Sequence, residues 1–280
     1  MGSYVRPTAV DDALKALAGA PLTIVAGGTD FYPARVGKPL DDDVLDVTGL
    51  AALRRIDDSG DHFRLGALVT WTDVIRAGLP PWFRALQQAA REVGGAQVQN
   101  AGTVAGNLCN ASPAADGAPC LIALDAAVEL ASLRGTRTVA VADFITGNRR
   151  TVRAPDEMVT AIRVPKPVHP ASSVFLKLGA RKYLVISIAM VAAVIERAGD
   201  GTVAAARVAV GSCSAVARRL SALEQALQGR RIDGALAGIA TAEHLSVLTP
   251  IDDVRGTAGY RADAALTLVR RALAELVREG

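Results

Sequence analysis

Residues 100–116 read N-A-G-T-V-A-G-N-L-C-N-A-S-P-A-A-D, a long run of small and neutral side chains that ends in one acid and holds no lysine or arginine. A run with so little apolar bulk is not expected to form a helix or strand that packs a core. It reads instead as a backbone cradle, because small residues let main-chain N–H groups approach an anion closely. A second segment of the same kind, Ala26-Gly27-Gly28-Thr29-Asp30, follows the apolar residues 22–25. Two neutral glycine loops point to one extended ligand with a diphosphate in its middle.

The chain has 280 residues, enough for one large domain or several smaller ones with buried cores. Its net charge of +3 is spread along the sequence. The densest basic groups are the pairs Arg54-Arg55, Arg149-Arg150, Arg218-Arg219 and Arg230-Arg231, which suit solvated faces or partner contacts better than a nucleic-acid footprint. Cys109, Cys120 and Cys213 are widely spaced and form no C-x-x-C pair, which argues against a disulfide framework, a zinc site or a cluster held within the chain. That usage fits a reducing cytoplasm. Residues 1–7 lack the basic-then-apolar pattern of a secretory signal. The apolar run 184–195 is too short to span a bilayer and reads as a buried strand.

Hydrophobic patterning predicts a β-α-β opening with a small parallel sheet. A helix capped by Thr8 precedes strands at 22–25 and 44–47. A strand at 63–68 and helices at 72–77 and 81–92 follow. A helix over 113–124, with Ser112 as its cap and Pro113 as its first residue, comes next. Residues 127–133 and 138–141 read as a hairpin, and 158–164 as an alternating strand closed by Pro165. The breakers in 165–170 mark a boundary. Strands at 173–178, 185–195 and 203–210 and helices at 220–227, 234–242 and 262–278 then give an α+β unit.

The glycine loops match no G-x-G-x-x-G or G-K-[ST] pattern, and the 102–106 spacing G-x-x-x-G is expected to have no continuing helix. His62, His169 and His244 lie far apart and read as surface or capping residues. With no nucleophile, acid–base pair or metal cluster in view, a dinucleotide cofactor that brings its own chemistry suits the chain.

Five segments occur in order: V-A-G-G-T-D-F at 25–31, T-V-A-G-N at 103–107, A-S-P-A-A-D at 111–116, D-E-M-V-T-A-I-R-V-P at 156–165 and F-L-K-L-G-A-R at 175–181. Together they resemble the FAD-binding medium subunit of molybdenum hydroxylases, the family of xanthine dehydrogenase and carbon monoxide dehydrogenase. The resemblance implies an α+β protein. A two-subdomain FAD-binding fold of the vanillyl-alcohol-oxidase type would occupy residues 1–168, with subdomains at about 1–57 and 58–168. A C-terminal domain of the carbon monoxide dehydrogenase flavoprotein type, with a three-stranded antiparallel sheet plus helices, would occupy 169–280.

The resemblance also implies non-covalent FAD, with molybdopterin and [2Fe-2S] clusters on a large and a small partner subunit in a dimer of heterotrimers. Electrons would pass through the flavin to a terminal acceptor. Val25, Ala26, Gly27, Gly28, Thr29, Asp30 and Phe31 match the loop that meets the diphosphate and ribityl chain. Thr103, Val104, Ala105, Gly106 and Asn107 match the loop that closes from the other side, and Ser112 lies in the same motif as Asp116. Asp116 matches an acid on the adenosine ribose, Val159 a main-chain contact at the adenine or its rim, and Lys177 a lysine beside the isoalloxazine ring. No catalytic or metal-binding residue is implied in this chain. Cys109 is expected to be a small buried thiol, and Trp71 and Trp82 to pack rather than to stack on flavin. The chain departs from the family pattern at Ala105, where glycine is usual, and at residues 181–187, which bear on flavin access. A stand-alone flavin oxidase with its own organic substrate is the alternative reading.

Overall fold

A computed structural model describes residues 2–37, 39–182 and 184–278. It opens with β1 (Tyr4–Val5), α1 (Val10–Gly19), β2 (Thr23–Val25) and β3 (Val44–Asp46). The three strands form a parallel sheet in the order β1-β3-β2, as the β-α-β pattern predicts. Ala13, Leu14 and Leu17 bury the inner face of α1. The N-cap of α1 is Ala9 rather than Thr8 and makes no side-chain bond, so this helix depends on its buried stripe.

The second sheet is antiparallel and five-stranded. Its strands are β4 (Ile56–Asp58), β5 (His62–Gly66), β6 (Ala127–Ser132), β7 (Gly135–Ala140) and, at the centre, β10 (Met158–Pro165), in the order β4-β5-β10-β6-β7. Between β7 and β10 lie α7 (Val141–Phe144) and the small pair β8 (Ile145–Gly147) and β9 (Arg150–Thr151). The expected break at 57/58 falls inside β4, so the change of sheet comes between Asp46 and Ile56. Between β5 and β6 the chain builds α2 (Trp71–Arg76), α3 (Arg84–Glu92), α4 (Ala96–Ala101), α5 (Val104–Asn110) and α6 (Gly117–Ala123). A 3-10 turn at Pro81–Phe83 leads into α3. Trp71 and Trp82 are buried in the core, as expected.

Two expectations about this stretch fail. The 100–116 run is helical over α5, and Val104, Ala105 and Leu108 are buried. The Thr103 hydroxyl accepts from the Gly106 amide and starts the helix, and small residues are what a helix needs where neighbours press close. The helix expected from Pro113 begins only at Gly117. Ala111 sits in the left-handed region at φ 48°, and the Ser112 hydroxyl accepts from Ala114 N at 3.3 Å in a turn that precedes it. All seven residues of α6 are buried.

The C-terminal sheet runs β11 (Ala171–Leu178), β12 (Ala189–Arg197), β13 (Val203–Gly211) and the two-residue β14 (Arg218–Arg219). It carries the three expected antiparallel strands and adds a short fourth at the edge. β12 starts at Ala189, four residues later than expected at 185. Its alternation separates two cores. Met190, Ala192 and Val194 join the cluster that holds Phe83, Leu86 and Leu121. Ala189, Val191, Ala193 and Ile195 face Leu223, Leu268, Val269 and Leu273. A strand buried on both faces needs an unbroken apolar run, which the sequence provides. The helices here are α8 (Ser221–Leu227) and α9 (Ala258–Arg278). The helix expected at 234–242 is instead two 3-10 turns, Leu236–Ile239 and Ala242–Leu245. His244 Nδ1 accepts from Thr241 N at 3.1 Å, the capping role expected of it.

Arg219 is no solvated arginine. It donates to Glu224 Oε2 at 2.7 Å and to Asp125 Oδ1 at 2.6 Å, while Arg207 Nε donates to Ala123 O at 2.9 Å. Both guanidiniums thus fasten the C-terminal sheet to the end of α6, where exposed carbonyls favour cations.

Glu157 pins the turn before β10. Arg137 grips it through Nε at 2.6 Å and Nη2 at 2.8 Å, and Ala154 N donates to it at 2.8 Å. The Arg137 guanidinium leads in holding this carboxyl at about 2, below its ordinary 4.5. The stabilisation is therefore complete above the unfolded value and is lost as pH falls through the folded one. Glu157→Gln should lower the thermal midpoint at pH 7 by about 3 °C. The gap to wild type should close on titration from pH 4.5 to 2. An equal gap at both ends of a calorimetric pH series would refute this.

Candidate functional site

The first glycine loop leaves the parallel sheet at Val25, which is buried. Gly28 has φ 67°, a conformation glycine adopts freely. Tyr32 N returns to Gly28 O at 3.1 Å and closes the turn. Gly27 meets the second loop directly: a Cβ there would lie 1.9 Å from Ala101 O, at the end of α4. A Cβ on Gly102 would lie 3.3 Å from Thr29 Oγ1. The two cradles that the sequence singles out therefore touch, backbone against backbone, and form one surface.

Main-chain donors on this surface are unspent. Among the described residues, the amides of Gly27, Gly28, Thr29 and Asp30 donate to no backbone carbonyl. In the second loop Val104 N donates to Val69 O, Gly106 N to the Thr103 hydroxyl and Asn107 N to Thr103 O, and the Ala105 amide is left over. Asn107 Oδ1 is buried with no hydrogen-bond partner. Buried carbonyl oxygens are seldom left in that state. Asp30 and Phe31 lie at the outer end of the first loop. Arg35 fixes Phe31, its guanidinium 3.7 Å from the ring centroid. Arg149 Nη1 reaches within 4.0 Å of Asp30 Oδ1 and bonds Asn110 Oδ1, so it bridges the far ends of the two loops.

Ala105 stands where the resemblance has glycine. It is helical in α5 and is not among the positive-φ residues, so its methyl costs no backbone strain. Cys109, expected to be buried, is exposed on α5. Val159 lies on β10 opposite Leu130, beside a register shift between Val159 and Ala161. Such a bulge frees main-chain groups.

The structure brings together two residues that sequence reasoning had placed apart. Lys177 Nζ, on β11, donates to Asp116 Oδ2 at 2.7 Å, and both side chains are buried. Ser187 Oγ donates to Asp116 Oδ1 at 2.6 Å. The adenosine ribose and the flavin ring are opposite ends of an extended dinucleotide, so one ion pair cannot serve both, and the assignment of Asp116 to the ribose does not hold alongside Lys177 at the ring. Burial pushes the Asp116 carboxyl above its ordinary value, while the Lys177 ammonium and the Ser187 hydroxyl pull the other way. Ser187 belongs to the departing run 181–187, in which Tyr183 lies outside the described residues. Sequence reasoning missed Ser187. No motif flagged it, and only the fold brings a residue 71 positions away onto Asp116.

Removing one member of a buried pair strands the other. Lys177→Met and Asp116→Asn should each cost about 3 kcal/mol, and the double variant should melt above either single. Thermal unfolding of the three variants checks this, and a double variant that melts lowest would refute it.

Comparison with known proteins fits this geometry. Residues 1–167 match the family described as "FAD binding domain in molybdopterin dehydrogenase", and residues 175–276 match "CO dehydrogenase flavoprotein C-terminal domain". The chain is 29% identical to the nicotine 6-hydroxylase medium subunit of Paenarthrobacter nicotinovorans, over 97% of this chain and 96% of that one. It is 30% identical to the glyceraldehyde dehydrogenase medium chain of Sulfolobus acidocaldarius, over 98% of each. Among solved structures, carbon monoxide dehydrogenase from Hydrogenophaga pseudoflava superposes with a TM-score of 0.88 at 28% identity, over 99% of this chain and 97% of that one. With both halves matched, the chain belongs to the FAD-binding medium-subunit family of the molybdopterin dehydrogenases, and it is an oxidoreductase flavoprotein subunit.

Proposed function

We propose that the two glycine loops hold the diphosphate of FAD without a covalent bond. The observation that carries this reading is the shared surface: Gly27 meets Ala101 and Gly102 meets Thr29, and the amides of residues 27–30 donate to no backbone carbonyl. These donors fit a dinucleotide with negative charge at its centre, because aligned main-chain N–H groups bind anions without fixed cations. When bound, FAD supplies electron exchange in steps of one or two. This chain's residues bind and orient it. Val25, Ala26, Gly27, Gly28, Thr29, Asp30 and Phe31 form one wall, and Thr103, Val104, Ala105, Gly106 and Asn107 the other. Ser112 and the Asp116–Lys177–Ser187 group hold the ring end, where the Lys177 ammonium supplies positive charge to the ligand. Val159 offers main-chain groups at its bulge.

In this reading the division at 168/169 separates the binding domain from the domain that carries Lys177 and Ser187. The chain sits in a complex with a large molybdenum-cofactor subunit and a small [2Fe-2S] subunit, as a dimer of heterotrimers. It passes electrons from the clusters to a terminal acceptor. The relatives' names support this arrangement, since they are medium subunits of dehydrogenases and hydroxylases. Among the described residues, no helix is long and apolar enough to cross a membrane. We place the complex in the cytoplasm on the sparse, unpaired cysteines.

Gly28→Val forces a side chain into φ 67° and onto the Tyr32 ring, and Gly106→Val pushes on the Thr103 hydroxyl that caps α5. Each should lower the flavin-to-protein ratio by at least about tenfold, the equivalent of 1.4 kcal/mol, with the circular dichroism spectrum unchanged. Stoichiometric flavin in both variants would remove the cradle assignment. Affinity purification of the tagged chain from its native cells should bring down two further subunits, with molybdenum and iron measurable in the eluate. A chain that purifies alone, and whose flavin is reduced by an organic substrate, would favour the stand-alone oxidase.

A further inference from the structure

Lys177 and Ser187 reach Asp116 from the same sheet. Lys177 lies on β11 opposite Met190 of β12, and Ser187 lies in the segment that leads into β12. The residue after Ser187 is held from two sides. Ile188 N donates to Leu178 O at 2.8 Å, and Ile188 O accepts from Arg261 Nη1 at 2.7 Å. Arg261 is buried and anchored in turn, with Nη1 on Ser212 O at 3.1 Å and Nη2 on Asp253 Oδ1 at 2.7 Å, while its Nε has no partner. Ser187, 2% exposed, therefore carries its hydroxyl on a backbone that is fixed beside it.

The three polar groups differ in how far they are satisfied. Asp116 has one donor at each oxygen, Lys177 Nζ at Oδ2 and Ser187 Oγ at Oδ1. An ammonium carries three N–H donors. Among the described residues Lys177 places one of them, on Asp116, although its side chain is 6% exposed. Without the hydroxyl, Asp116 Oδ1 becomes a buried anionic oxygen lacking a donor, a state that costs free energy. The other group bonded to Asp116 is the ammonium, and it meets both oxygens only by committing a second N–H to the carboxylate.

We propose that Ser187 is a positioning residue for the flavin ring: by donating to Asp116 Oδ1 it confines the Lys177 ammonium to Oδ2 and leaves the remaining N–H donors of Lys177 for the ligand. This rests on the reading that FAD occupies the cradle with its ring end at Lys177. It adds a residue that the resemblance does not assign, with an effect on the flavin that passes through Lys177. A hydrogen bond from an ammonium is worth most where the ligand oxygen or nitrogen is negative, so the uncommitted donors favour the reduced flavin over the oxidised one.

The test compares the full chain, loaded with FAD, with its Ser187→Ala variant by flavin content and by spectroelectrochemical titration. Flavin content should stay stoichiometric, because the glycine loops are untouched. The affinity ratio of reduced to oxidised flavin should fall about tenfold, which lowers the two-electron midpoint by about 30 mV. The same substitution in the Asp116→Asn/Lys177→Met background should leave the midpoint where that background has it. A purely structural serine would shift stability in both backgrounds and the midpoint in neither. The proposal is overturned if Ser187→Ala keeps or raises the wild-type midpoint, if it loses its flavin, or if the fall recurs without Asp116 and Lys177. A wild-type chain that takes up no FAD overturns the underlying reading instead, and this proposal with it.

Discussion

Everything at this site depends on the contact between Gly27 and the Ala101 carbonyl. With no side chain at Gly27, the loop leaving the parallel sheet comes down onto the end of α4 with nothing between the two backbones. Any Cβ there would overlap the carbonyl at 1.9 Å. That single approach turns two loops, some 75 residues apart in sequence, into one surface with donors on both sides. It also explains why the loops are neutral. Amides from two directions can meet an anion's oxygens directly, so no lysine or arginine is needed within the loops themselves.

The rest of the molecule keeps those loops in place from behind. Helix α6 is buried along its whole length and carries Asp116 at its start and the carbonyls of Ile122 and Ala123 at its end. The C-terminal domain grips both ends. Lys177 and Ser187 hold Asp116, while Arg207 and Arg219 hold the far carbonyls and Asp125. Strand β12, apolar on both faces, joins the core under α3 and α6 to the core under α9. The second domain therefore completes the first one's site and does not merely follow it in sequence.

Much of this could be read from residue order, and the failures have physical causes. The parallel opening, the hairpin and the long last helix followed from period and punctuation, and the two loops followed from glycine and the lack of charge. Helix α5 escaped because its buried side chains, Val104, Ala105 and Leu108, are few and small. Composition there signals a loop, while the Thr103 cap and close-packed neighbours stabilise a helix. The start expected at Pro113 lost to the left-handed turn at Ala111, a backbone choice that no propensity for alanine would suggest. Ser187 and the orphaned Arg261 were invisible for another reason. Their meaning lies in what the fold sets beside them, and neither spacing nor type records that.

The Asp116–Lys177 pair has a further consequence for any ligand at that end. An ammonium already bonded to a carboxylate at 2.7 Å has much of its charge offset. It can stabilise negative charge on a ligand fully only if the carboxylate finds other donors. Ser187 is one such donor, at 2.6 Å on the opposite oxygen. The hydroxyl and the ammonium thus share the Asp116 charge between its two oxygens. Asp116 is thus a carboxylate of the first domain held by two side chains of the second.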